Sequence, residues 1–135
     1  LPMLGQLINE RHARLQQVAA AGADPSEPLE ELCWLLHTSA HVLADPVEGE
    51  TPLVPDPLAA ASASASAVGS PCPVQGLGEC LLHIACLVLD AAARPVISPR
   101  LMESAVVAVA QWAPTYLFPE KPHSAAASGG GALEA

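Results

Sequence analysis

The chain has 135 residues, 14 acidic side chains against five Lys and Arg, a formal net charge of −9, and 51 % apolar residues of which very few are aromatic; that length supports one small domain at most. Its five cations, Arg11, Arg14, Arg94, Arg100 and Lys121, are scattered, which argues against nucleic acid and anionic membrane surfaces as partners, because both need clustered Lys and Arg. Four cysteines without a CxxC pair are ordinary intracellular usage and no disulfide scaffold.

Strand signals are nearly absent, and apolar positions recur at helical spacing. The chain starts at Leu1 with no basic-then-apolar leader pattern, so it is expected to be a piece of something longer. A first helix is predicted from about Met3 to Ala21, with Leu4, Leu7, Ile8 and Leu15 on one face and Gly22 stopping it. A second follows Asp24 as cap and Pro25 at the first position, with Glu27 close to a capping box. Leu29, Leu32, Leu36, Ala40 and Leu43 form its main stripe. Trp34, Leu35 and Val42 lie off the stripe, so the helix is expected to be buried between neighbours. Asp45-Pro46 ends it.

Between 46 and 75 the prolines Pro46, Pro52, Pro55, Pro57, Pro71 and Pro73 and the alternating Ala/Ser tract Ala59 to Ala67 predict a long, partly disordered loop inserted between helices. A third helix is predicted over about Gly76 to Ala93. Its apolar stretch, broken by His83 and Asp90, is shorter than the ~20 residues of a membrane span, so no membrane insertion is expected. The last helix opens with Ser98 as cap and Pro99 in the first turn and continues through Leu101, Ala105, Val109, Trp112 and Tyr116, with Pro114 expected to kink or fray its end. Residues 118–135 read as a disordered tail.

These elements predict an all-α fold, either a four-helix bundle or two units of a helical solenoid. Composition favours an α-solenoid (HEAT/armadillo-like) fragment of about two helix pairs over residues 3–117, because the second and third helices are apolar on more than one side. Removing the insert also brings Trp34 and Trp112 close to the ~40–47-residue period of HEAT-type repeats. Two repeats are fewer than the three or so that bury a solenoid core alone, which again points to a piece of a longer array.

Candidate chemistry is sparse. Cys33, His37 and His41 share a helical face at four-residue spacing, and His83 with Cys86 could complete a zinc site. No glutamate stands beside the histidines as in HExxH, and a buried cysteine usually serves packing, so no metal ligands are expected. There is no GxSxG elbow, and Gly129 to Gly131 lacks the lysine of a phosphate loop. Asp24, Glu27, Glu30 and Glu31 suit the positive end of a helix rather than acid–base work. No catalytic residue and no cofactor are expected, and the chain reads as a non-enzyme. The most unusual string is Glu48-Gly49-Glu50-Thr51-Pro52-Leu53-Val54-Pro55, a stiff acidic loop. Its Leu53 and Val54 are expected to plug the ridge between repeats; the other reading has the loop docking a basic partner. Trp34, Glu50, Leu53, Val54 and Trp112 are therefore the candidate structural and interaction residues.

Several strings, Glu31-Leu32, Trp34-Leu35, His41-Val42-Leu43-Ala44-Asp45, Gly49 to Pro55, Ser98-Pro99, Trp112-Ala113 and Thr115-Tyr116-Leu117, resemble in their order a nuclear transport receptor of the importin-β (karyopherin-β) superfamily. The resemblance runs from about Leu4 to Glu120, apart from the Ala/Ser spacer. It implies a much longer α-solenoid of HEAT repeats that shuttles between nucleus and cytoplasm. Such a receptor carries protein cargo through nuclear pores in a Ran-GTP-dependent manner, with the Ran GTPase and nuclear pore proteins as partners. The net acidity agrees with basic cargo patches. Two other readings stand beside it: a stand-alone helical-repeat interaction module without Ran binding and, more remotely, a zinc-dependent enzyme using Cys33, His37 and His41.

Overall fold

The computed structural model describes residues 1–46 and 49–118, and every regular element among them is helical. In chain order these are α1 (Pro2–Ala20), α2 (Ser26–Leu43), α3 (Asp56–Ala67), α4 (Pro73–Cys86), a single 3-10 turn (Leu87–Leu89) and α5 (Pro99–Tyr116). The proposed tail beyond Phe118, and Val47 and Glu48 of the acidic loop, lie outside the described residues.

Helix starts follow local chemistry. Ser98 Oγ accepts the Leu101 N–H at 3.1 Å, and Pro99 occupies a first-turn position where a missing N–H costs nothing. At α2 the Asp24 carboxylate accepts both the backbone N–H (3.1 Å) and the hydroxyl (2.6 Å) of Ser26, and these bonds hold the Asp24 carboxyl below the usual range. Gly22, at φ +66°, turns the chain between α1 and α2.

Cross-links fix the directions. Arg11 Nε pairs with Glu31 at 2.7 Å and Arg14 with Glu27 at 3.2 Å, so α1 and α2 run antiparallel. Gly78 of α4 lies against Trp112 near the end of α5, so α4 and α5 are antiparallel too. Between the hairpins the matching helices run parallel. On one side Asn9 meets Cys80 and His12 meets His83. On the other, Glu30 meets Arg100, His37 meets Ser104 and Leu43 meets Tyr116. Thus α1 packs on α2 and α4, α5 packs on the same two, and α2 and α4 touch only slightly across the diagonal. An up-and-down bundle would make α2 and α4 full neighbours; two hairpins set side by side do not. One core joins all four, through Ile8, Leu15, Leu32, Leu36, Leu43, Leu77, Leu81, Ile84, Leu101 and Ala105, each large aliphatic side chain contributing about 1.5–3 kcal/mol by burial.

Three expectations change. The 46–75 segment is not one loop: residues 56–67 form α3, because Pro55 and Pro57 fall at the cap and first turn and the Ala-rich remainder favours helix. Only Leu58 of α3 is buried, and the helix leans mainly on α4. The third predicted helix begins at Pro73 and ends at Cys86, tightening into the 3-10 turn before Asp90. As expected, α5 reaches Tyr116 past Pro114, because in the last turn a proline forfeits a single helical hydrogen bond. Finally, α2 is not buried all round: Trp34 is 64 % and Val42 39 % exposed. The two tryptophans consequently occupy unlike positions, one outward and one in the core, and their spacing marks no repeat register.

Candidate functional site

A groove of about 710 Å³ runs along the outer face of α2 and α5. The stripe Cys33, His37 and His41 lines it from α2, and Arg100 and Ser104 line it from α5, one turn apart. Trp34 stands on its rim. Its indole N–H donates to Glu30 Oε1 at 3.1 Å, and the same oxygen accepts from Arg100 at 2.9 Å. One carboxylate thus orients an exposed aromatic ring and a guanidinium together, the residue types that dominate protein-binding hot spots. Sequence reasoning placed Trp34 inside because it read the ring as apolar bulk; the acid four residues earlier was the signal for an outward indole.

The metal reading finds no geometry. His37 Nε2 lies 3.2 Å from Ser104 Oγ, and His41 Nδ1 lies 3.3 Å from Asp45 across one helical turn. The two rings are thus engaged with different elements, while Cys33 is 97 % covered by packing (3 % exposed). His83 is on α4 against His12, remote from that groove, and Cys86 is exposed. Among the described residues no three His, Cys, Asp or Glu side chains are arranged to hold a metal ion.

The loop residues divide. Val54 packs partly against the core, as a plug should, whereas Leu53 is 89 % exposed and plugs nothing. Glu50 is exposed as well. The backbone of this segment is held from α5: Thr115 Oγ1 donates to the Pro52 carbonyl at 2.8 Å. One turn earlier Gln111 Nε2 donates to the Ala44 carbonyl at 2.6 Å, and the adjacent Tyr116 hydroxyl donates to the Leu43 carbonyl at 2.6 Å. This three-residue clamp escaped the sequence reading. Its one visible sign was a row of polar groups, Gln111 and Thr115, at helical spacing within an otherwise apolar helix.

Trp112 is the tryptophan that behaves as expected. It is 6 % exposed, stacks on Tyr116 with ring centroids 6.2 Å apart, and lies so close to Gly78 that a Cβ there would stand 2.6 Å from the indole. Burial pushes the Tyr116 phenol pKa up. Beside this pair an apolar hollow of about 620 Å³ opens between α3, α4 and α5. Cys72 stands at its edge, its thiol 3.3 Å from Ser62 Oγ, a bond that lowers its pKa.

No described helix is long and apolar enough to cross a membrane. Scans against protein-family models, curated proteins and solved structures each returned no match for this chain.

Proposed function

We propose that the chain is a segment of an α-solenoid nuclear transport receptor, resembling exportin-4, that carries protein cargo through nuclear pores in a Ran-GTP-dependent manner and shuttles between nucleus and cytoplasm. The observation that carries this reading is the arrangement of the hairpins: α1 runs beside and parallel to α4, and α2 beside and parallel to α5. That is the neighbour pattern of stacked HEAT-type repeats. The ordered strings that resemble that receptor support this reading, and the stack fits a mechanism: a curved scaffold whose curvature follows the partners it binds. In this reading the Trp34 groove is a contact surface and carries no chemistry, consistent with a non-enzyme.

The test is a pull-down with the whole protein that contains this chain, offered cell extract with and without GTP-loaded Ran. Cargo retention that depends on Ran-GTP supports the receptor. Retention of partners unaffected by Ran would overturn it in favour of a stand-alone helical interaction module. That second reading draws on the core, since Leu32, Leu36, Leu77, Leu81 and Leu101 are fully closed to solvent between the two hairpins alone.

A further inference from the structure

The two hairpins meet along two lines, and only one of them places like titratable groups face to face. On the α1–α4 line the His12 and His83 rings pack edge to face, with centroids 5.5 Å apart and planes at 66°. His12 is half-buried and His83 exposed at the surface of the same seam. The remaining polar contacts on this line are slight: Gly5 lies against Cys80, whose thiol points to Asn9 Oδ1 at 3.9 Å.

We propose that the α1–α4 seam is a pH-responsive joint, in which protonation of the facing imidazoles of His12 and His83 loosens this edge while the α2–α5 edge holds and acts as the hinge. Two imidazolium charges at this separation repel, and the partly buried position of His12 limits how far water screens them.

Among the described residues, none of the surrounding carboxylates is paired with either ring. On α2, Glu31 and Glu27 are engaged by Arg11 and Arg14 of α1. Glu10 accepts from Gln6. On α4, Glu79 accepts from Gln75, Cys80 faces Asn9, and Cys86 is exposed. After the 3-10 turn, Asp90 shares a hollow with His12 but accepts the Ala92 N–H at 2.9 Å, and Arg94 donates to the Val88 carbonyl. Neither imidazole pairs with a carboxylate among the described residues. Burial first, and the His83 charge second, hold the His12 pKa below its ordinary value of 6.5. The folded state therefore binds fewer protons than the unfolded chain as pH falls through that value, and stability is lost on acidification.

The far edge is built to stay closed. Arg100 to Glu30, Gln111 to the Ala44 carbonyl and Tyr116 to the Leu43 carbonyl span α2 and α5 with bonds of 2.6–2.9 Å. Opening one edge about the other changes the angle between hairpins. This inference stands without the receptor reading; within a solenoid it would become a change of curvature.

Amide hydrogen exchange on the full chain at pH 7.5 and pH 5.0, expressed as protection factors so that intrinsic pH effects cancel, tests it. The expected result is a roughly tenfold or greater loss of protection in α1 and α4 at pH 5.0, with α2 and α5 changing far less. His12→Gln should abolish most of that difference and His83→Gln, at an exposed site, should diminish it, while His37→Gln should retain it. Equal loss along all four helices, no loss in α1 and α4, or an undiminished loss in His83→Gln would each overturn the proposal. Because the wild-type exchange pattern already discriminates between the two edges, a variant that fails to fold does not rescue it.

Discussion

Along the α2–α5 seam, Leu32, Leu36 and Leu43 on one helix and Leu101, Ala105 and Ala108 on the other are closed to solvent, and side chains tie the helices together from Glu30 to Tyr116. Along the α1–α4 seam, Ile8, Leu15, Leu77 and Leu81 supply the interior, but the outer line is a glycine, a cysteine, an asparagine and two histidines. Both seams join the same two hairpins and bury comparable apolar residues. They differ in their directional bonds: one has short hydrogen bonds to helix-end carbonyls, the other a weak thiol contact. Burial fixes which faces meet, whereas the polar ties decide which seam resists opening.

That contrast can be broken most forcefully at Trp112. Trp112→Ala removes a buried ring that braces both Gly78 and Tyr116 and should cost about 3–5 kcal/mol in a urea titration. Tyr116→Phe keeps the stack but leaves the Leu43 carbonyl without its donor; a loss of about 1–2 kcal/mol is expected by the same measurement. A negligible effect would remove the main distinction between the seams. Asn9→Ala touches only the 3.9 Å thiol contact and should shift thermal unfolding by no more than ~0.5 kcal/mol equivalent. Trp34→Ala is placed in the same small range because the ring is exposed. Its effect should appear in partner capture, and a large stability loss would mean that the ring is packed after all.

How legible this was in the sequence depends on what each residue had to reveal. Ser98-Pro99 and the Leu32, Leu36, Ala40, Leu43 stripe were readable because capping and burial follow local spacing. α3 was not readable, because six prolines dominate the segment while their position relative to a helix start decides whether they interrupt it. The candidate site was legible in part. His37 and His41 do share the groove, and Asp45 stands one turn from His41 in sequence, yet Ser104, the partner of His37, was invisible to spacing within α2 alone. The clamp from Gln111, Thr115 and Tyr116 and the His12–His83 pair join residues more than 60 positions apart. No periodicity within one helix encodes such a meeting, and it emerges only once the hairpins are stacked.

The clamp also bears on the order in which the molecule is built. A helix end needs partners for its last carbonyls. For α2 two of these groups, Leu43 and Ala44, find side-chain donors 73 and 67 residues further along. During synthesis the first hairpin therefore emerges with its far end unfinished, and α2 stays frayed there until α5 has been made and docked. Closing so long a loop before the contact is rewarded slows folding, and it ties the two hairpins into one cooperative step. A ribosome-stalled chain ending before Ser98 should therefore show α1 and the first part of α2 protected from proteolysis while the turn at Leu43 is still cut.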